Sequence, residues 1–301
     1  MVVNNMEWYY ILLIVLASLI AVFLLTVYFL IKPGNHKKCI NYDWMYKNPI
    51  AHRGYHNNEN GVIENSKTAF ELAIDNKYNI EMDISLTLDN QIIVYHDNDF
   101  KRLLGVDKKV SEMTLEEIKQ LRYKNSSDDI LTFKEFLELI DGKTGLVIEY
   151  KSQNKQRNYI LCEKSMELLK DYKGNYVVQS FDPIIVGWFK KNYPIIPRGQ
   201  LCMIFDLKKT KEEAKGKGKK GLILRLTRWM YNNKLTNFVG RPLFLDHSHH
   251  DINFMGKLCH KLMPMIVYTV QTKQHYDNIY NKVDNIIFEN LNLDENGKFR
   301  K

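Results

Sequence analysis

The sequence predicts an α/β protein: a TIM-barrel-like ring of parallel strands and outer helices, preceded by one N-terminal transmembrane helix. Three observations carry that expectation. Trp8–Ile31 is an unbroken run of 24 residues without a charge. The remainder of the 301-residue chain, about 265 residues once the flank is removed, alternates short β-like runs with amphipathic helical runs, at a length that suits one barrel. The polar residues that stand out fall at the ends of those β-like runs, where barrel sites are built. Forty-five per cent apolar and 26% charged residues exclude wholesale disorder. Four scattered cysteines with no CxxC exclude a disulfide framework and a zinc ribbon. The net charge, 43 − 35 = +8, points to an anionic partner, and beside an apolar span that partner is lipid rather than nucleic acid. No obligate protein partner is evident.

As a helix the apolar run is about 36 Å long, enough to cross a hydrocarbon core of about 30 Å. Met1–Glu7 has no Lys or Arg, the run is longer than a secretory signal core, and no small-x-small cleavage site follows. An uncleaved anchor is therefore expected, with Trp8, Tyr9, Tyr10 and Tyr28 in the headgroup belts. Lys32, Lys37 and Lys38 all follow the span, so the positive-inside rule places the domain on the cytoplasmic side of the cell membrane. The expected organisation is a tail over 1–7, a transmembrane helix over 8–31, a linker over 32–46 and one barrel over 47–301.

Nine candidate strands follow in order: Pro49–His52, Asn79–Leu86, Gln91–His96, Leu146–Lys151, Tyr176–Ser180, Arg198–Met203, Pro242–Asp246, Met265–Val270 and Asn285–Phe288. Between them, Ser66–Asn76 gathers Ala69, Phe70, Ala73 and Ile74 on one side, and Thr132–Ile140 gathers Phe133, Phe136, Leu137 and Ile140. Thr114-Leu-Glu-Glu117 reads as a capping box. Only Thr87–Asn90 joins the second and third strands, too little for a crossover helix. One of the nine is thus expected to be a hairpin arm or an outside strand.

His52-Arg53-Gly54 closes the first strand, and His96-Asp97 ends the third. Glu81 and Asp83 are two apart on the second strand, as are Glu149 and Lys151 on the fourth, so each pair shares a face. Acids in register on neighbouring strands make an all-oxygen site, which suits one hard divalent cation, Ca²⁺ or Mg²⁺, and not zinc. Two histidines beside it would serve as general acid and base, and Arg53 and Lys151 would supply positive charge to a substrate phosphate. The convergence of groups useful for cleaving a phosphodiester is the signal; each residue alone has a structural explanation.

These residues resemble a family. Ala51-His-Arg-Gly54, Glu64-Asn65-Ser66 leading into Ala69-Phe70, and Ile80-Glu81-Met82-Asp83 are similar to the opening signature of glycerophosphodiester phosphodiesterases. Val94-Tyr95-His96-Asp97 with Arg102 behind it, Ile148-Glu149-Tyr150-Lys151, Val178-Gln179-Ser180-Phe181-Asp182 and Arg198-Gly199-Gln200-Leu201 continue the likeness, which covers nearly the whole chain after the linker. The resemblance implies a TIM barrel of the phospholipase-C-like phosphodiesterase type. It would hydrolyse glycerophosphodiesters to glycerol 3-phosphate and an alcohol with a divalent metal, in the manner of membrane-anchored bacterial members. By that resemblance Glu81, Asp83 and Glu149 are metal ligands, His52 and His96 the acid–base pair, and Arg53 and Lys151 phosphate contacts. Glu64 and Asn65 would position substrate or ligands. Which histidine is the acid, and whether water or a glycerol hydroxyl attacks, stay open. The late motifs depart from the family pattern: Tyr268-Thr-Val-Gln271 stands for Trp-Thr-Val-Asn, Asn285-Ile-Ile-Phe-Glu289-Asn290 for Gly-Ile-x-Thr-Asp, and Pro242-Leu-Phe244 for Pro-Asp-Phe. These departures are expected to bear on the head group and to leave the chemistry untouched. A lysophospholipase D acting on membrane lysophospholipids is the nearest enzymatic alternative, and a catalytically idle membrane-bound binding module the alternative of another class.

Two features fall outside that scheme. Lys208–Lys220 holds seven lysines and two glutamates, net +5, and reads either as a solvated loop or as a patch lying on anionic lipid. Gly221–Met230 after it reads either as an interfacial segment or as a helix of the outer ring. Asp246-His-Ser-His-His-Asp251, with the His247–His250 cluster, is dense in metal-capable groups but lacks zinc-site spacing, and is expected to be a pocket-lining loop or a helix N-terminus.

Overall fold

A computed structural model describes residues 3–300 of the chain. The apolar run lies in one helix, Val3–Ile31, long and apolar enough to cross a bilayer. Positions 1 and 2 of the expected tail lie outside the described residues, and from Val3 the tail is already helical. The span's aliphatic hydroxyls, Ser18 and Thr26, donate to the helix's own Ile14 and Val22 carbonyls at 2.8 Å, so hydrocarbon would leave neither unsatisfied. At the helix's last turn Ile31 is buried and Val27 packs on the barrel's outer core. Arg241 donates there to the Phe29 carbonyl at 2.5 Å and to the Lys32 carbonyl at 3.2 Å, a cation serving the unpaired end of a helix.

The strands are β1 (Ile50–His52), β2 (Asn79–Leu86), β3 (Ile92–Val94), β4 (Asp99–Phe100), β5 (Val106–Lys109), β6 (Leu146–Tyr150), β7 (Tyr176–Ser180), β8 (Arg198–Cys202), β9 (Phe244–Ser248), β10 (Met265–Val270) and β11 (Asn285–Phe288). Eight of them run parallel in the order β1-β2-β6-β7-β8-β9-β10-β11, and β11 pairs back onto β1 to close the barrel. The surplus strand is β3, which lies antiparallel on β2 outside the ring, with Ile84 opposite Val94 and Leu86 opposite Ile92. The short link Thr87–Asn90 forces that geometry. The small β4–β5 hairpin follows it, over a separate cluster built on Ile93, Tyr95, Phe100 and Ile118.

Alternation sets the layers. Ile80, Met82 and Ile84 of β2, with Ile148 and Val178, face the helices and form the main core. Lys67–Asp75 begins at Ser66, whose hydroxyl accepts from Ala69 N, and Phe133–Ile140 begins at a Thr132/Glu135 capping box. These two helices meet edge-to-face through Phe70 and Phe136, 4.7 Å between centroids. The expected linker is in large part not one. Tyr42 and Met45 are buried with Ile50, Val147, Val177, Phe244, Ile266 and Ile287 and plug the floor of the barrel. Asn285 secures the plug by donating to the carbonyls of Met45 (2.6 Å) and Asn48 (2.7 Å).

Candidate active site

The opposite end of the barrel gathers the charged residues. Register places His52 beside Glu81 across β1–β2, and Asp83, Glu149 and Gln179 in one row across β2–β6–β7. His96 arrives differently from the other groups: β3 returns antiparallel, Tyr95 N donates to the Asp83 carbonyl at 3.1 Å, and His96 comes back to the level of the acids. It therefore does not sit at the C-terminal end of a barrel strand, although it reaches the same pocket. That pocket, about 130 Å³, is lined by His52, Arg53, Glu81, His96 and Glu149, with Gln179, Asp246 and Tyr268 opposite.

The turn after β1 is built for close approach. Arg53 and Gly54 are both left-handed, at φ 54° and 80°, and a Cβ on Gly54 would stand 2.9 Å from the Ala69 backbone. The turn points Arg53 N at Glu81 Oε2 (3.2 Å) and its guanidinium at Glu64 Oε1 (2.6 Å) and Asp83 Oδ2 (3.5 Å). Glu64, 3% exposed, also accepts both terminal nitrogens of Arg102 at 2.7–2.8 Å and Asn58 at 2.8 Å. Burial pushes the Glu64 carboxyl up, but the hydrogen bonds from Arg102 and the charges of Arg53 and Arg102 outweigh it and hold the group down at about 2. Asn65 donates to Asp83 Oδ2 at 2.8 Å. Glu64 and Asn65 thus touch Arg53 and Asp83 directly.

Glu81, Asp83 and Glu149 are buried and bring one oxygen each within 4.8 Å of one another. Burial, then mutual repulsion from Asp83 and Glu149, pushes the Glu81 carboxyl well above its usual range. Burial likewise raises Glu149, whereas for Asp83 the Lys151, His96 and Arg53 charges overcome burial and lower it. The Lys151 ammonium lies 2.8 Å from Asp83 Oδ1 and 2.5 Å from Glu149 Oε1. Three carboxylates face two cations, Arg53 and Lys151, so the cluster has the charge and the all-oxygen donor set for a hard divalent cation.

The two imidazoles are held alike. His52 Nδ1 hydrogen-bonds the Glu289 carboxylate, and His96 Nδ1 lies 2.7 Å from Asp97 Oδ1. A carboxylate only accepts, so each ring carries its proton on Nδ1 and keeps Nε2 for chemistry. Asp97 is itself fixed by Arg102 Nε at 2.7 Å. Burial, then the Arg53 charge, takes His52 down to about 4 against the pull of Glu289. Glu289, which also faces His56 Nε2 at 3.5 Å and accepts from Gln271 at 2.7 Å, was missed as a site residue. Its place at the C-terminal end of β11, next to β1, is the signal that could have found it. Glu289 and Gln271 are two of the late departures, and against the expectation that these bear on the head group alone, Glu289 hydrogen-bonds a histidine of the pocket while Gln271 donates to Glu289. In the Asp246–Asp251 run, Asp246 faces the pocket, Asp251 accepts from Ile204 N at 2.8 Å, and Asn253 caps the helix Phe254–His260. His249 meets His250 and His275 at tilted angles, 3.6 and 4.4 Å between centroids, and none of the three lines the pocket.

The fold and this pocket define a class: an eight-stranded α/β barrel whose mouth pairs tethered histidines with an acidic cluster. The glycerophosphoryl diester phosphodiesterase family profile matches residues 52–291, and the chain belongs to that family. A glycerophosphodiester phosphodiesterase of Caldanaerobacter subterraneus is 35% identical over 166 residues, 50% of this chain and 65% of that protein. The chain spans between about half and two thirds of the length of the curated relatives it matches. Among solved structures, a glycerophosphodiester phosphodiesterase from Parabacteroides distasonis superposes with TM-score 0.61 at 24% identity, over 80% of this chain and 92% of that one. An Oleispira antarctica phosphodiesterase in complex with the product sn-glycerol-3-phosphate gives 0.63 at 19% identity, over 82% and 94%. These likenesses show the same fold.

Proposed function

We propose that the chain hydrolyses glycerophosphodiesters to glycerol 3-phosphate and an alcohol, at a membrane in which Trp8–Ile31 is a single-pass anchor and with the barrel on the cytoplasmic side. The observation that carries this reading is the pair of Nδ1-tethered imidazoles flanking three buried carboxylates in one pocket. The relative solved with sn-glycerol-3-phosphate supports the product class.

Glu81, Asp83 and Glu149 would hold the divalent cation, which when bound supplies positive charge to a phosphate oxygen. Arg53, set by Glu64, and Lys151 bring further charge to the same phosphate. His52, buried and tethered by Glu289, takes a proton on Nε2 from the attacking oxygen. His96, the more exposed ring, enters with a second proton on Nε2, gives that proton to the leaving alcohol and recovers it from solvent. A specific observation also favours lysophospholipids as substrates: Leu222, Leu226 and Trp229 stand exposed on a helix after β8 whose Tyr231 donates to the carbonyl of Leu201, a pocket residue. The test is hydrolysis by the full chain of glycerophosphocholine, glycerophosphoethanolamine and a lysophospholipid, each with Ca²⁺, Mg²⁺ or EDTA. Metal-dependent release of glycerol 3-phosphate from the first two is the expected result. Turnover of the lysophospholipid alone would move the enzyme to the lipid itself, and no turnover with a folded chain would leave a binding module.

A further inference from the structure

Between β8 and β9 the barrel carries an arm of two helices, Leu207–Ala214 and Gly218–Asn232. They pack closely because residue 221 is glycine; a Cβ there would stand 2.3 Å from the Ala214 carbonyl oxygen. Arg228 locks them, 2.8 Å from Glu213 Oε2 and 3.1 Å from the Thr210 hydroxyl. The lysine run is therefore helical over most of its length, with Lys215 and Lys217 in the turn between the two helices. On the outer face Leu222, Ile223, Leu226 and Trp229 are 65%, 63%, 53% and 47% exposed, at the spacing of one helix face. Leu207 and Lys211 join Leu222, Leu226 and Trp229 around an open groove of about 470 Å³. Lys208 and Lys211 line this groove and Lys215 an adjoining one, and the run Lys208–Lys220 that carries them holds seven lysines against two glutamates.

The arm is rooted at the pocket. Tyr231 donates from its hydroxyl to the carbonyl of Leu201, a pocket residue, and Asn253 donates to the Asn232 carbonyl at 2.8 Å. Asn233–Thr236 then leads straight to the short helix Asn237–Gly240, which touches the membrane-length helix, and to Arg241, which caps that helix. The arm is thus rooted at the mouth end of β8 and the apolar helix is held before the floor end of the neighbouring strand β9, both in the β8–β9 sector.

We infer that this arm is an interfacial element that lays the flank of the barrel on an anionic bilayer, its apolar face at headgroup depth and its lysines on lipid phosphates. The inference rests on the anchor reading and goes beyond it by fixing which side of the barrel meets the lipid and by holding the pocket beside it. An exposed apolar face with lysines along its groove is the complement of an anionic interface. A second copy of the chain would bring the same positive charge against itself.

The test uses the full chain in vesicles of phosphatidylcholine, with or without phosphatidylglycerol, whose acyl chains carry bromine. The emission of wild type minus Trp229→Phe isolates Trp229. The expected result is about a twofold loss of that emission in the anionic vesicles and little in the neutral ones. Replacing the seven lysines by glutamine, or the triple variant Leu222→Gln, Ile223→Gln, Leu226→Gln, should abolish the loss; these side chains are largely exposed, and circular dichroism should report an unchanged fold. Unquenched Trp229 in a chain that resists alkaline extraction overturns the inference and leaves the anchor standing. Quenched Trp229 in a chain released by alkali supports the arm and overturns the anchor. Equal quenching in neutral lipid removes the anionic preference, and cross-linking of unquenched arms between copies assigns the face to self-association instead.

Discussion

At the floor of the barrel Val147, Val177, Phe244 and Ile266 close around Tyr42 and Met45. One pleat further along the same four strands stand Glu149, Gln179, Asp246 and Tyr268, which line the pocket. The floor is apolar contact secured by the hydrogen bonds of Asn285, whereas at the mouth burial raises Glu81, Glu149 and Asp246, the last with Gln179 as its polar neighbour. A chain keeps such groups buried where a ligand completes them, so each strand carries stability at one end and chemistry at the other.

Breaking the floor gives the largest effect. Phe244→Ala should cost about 3–5 kcal/mol of stability, read by denaturant unfolding, with turnover per folded molecule retained. At the mouth the signs reverse. His52→Ala and His96→Ala should each lose at least ~10²-fold in kcat, about 2.7 kcal/mol of barrier, with the unfolding midpoint nearly unchanged. Near-normal rates in both would remove the acid–base assignment.

Glu64 joins the two behaviours. Its carboxyl is depressed to about 2, so the stability it contributes is present above its ordinary value near 4.5 and is lost as pH falls through 2. Glu64→Gln should remove about 2–3 kcal/mol of that acid-dependent stability and flatten the unfolding profile between those pH values. The smallest effect belongs to Glu289. Glu289→Gln should lower kcat about tenfold and leave KM alone, because the ring of His52 loses its orienting partner and not its nitrogen. Glu289→Asp should not restore the rate if reach, rather than charge, sets the ring.

Much of the mouth was legible in residue order. The spacing of two in Glu81/Asp83 and Glu149/Lys151 places each pair on one face whatever the tertiary detail, and the register of β2 with β6 then merges the pairs. The shortness of Thr87–Asn90 likewise foretold a strand outside the ring. The hold of Glu289 on His52 is different in kind, since it exists only once β11 pairs with β1 and the barrel closes. The floor plug was hidden because Tyr42 and Met45 sit in a short aromatic-rich segment, Cys39–Tyr46, with no helix or strand period to read. The lysine-rich arm has the composition of a solvated loop, and the close helix packing at Gly221 is visible only in three dimensions.

The most direct test of the central claim is to strip the full chain of divalent metal, then titrate Ca²⁺ or Mg²⁺ while following bound ion and release of glycerol 3-phosphate from glycerophosphocholine together, beside Glu81→Ala. The account predicts one ion per chain, turnover that rises in step with occupancy, and loss of both in the variant. Full turnover by the metal-free chain, or an ion bound as tightly by Glu81→Ala as by the wild type, would contradict it.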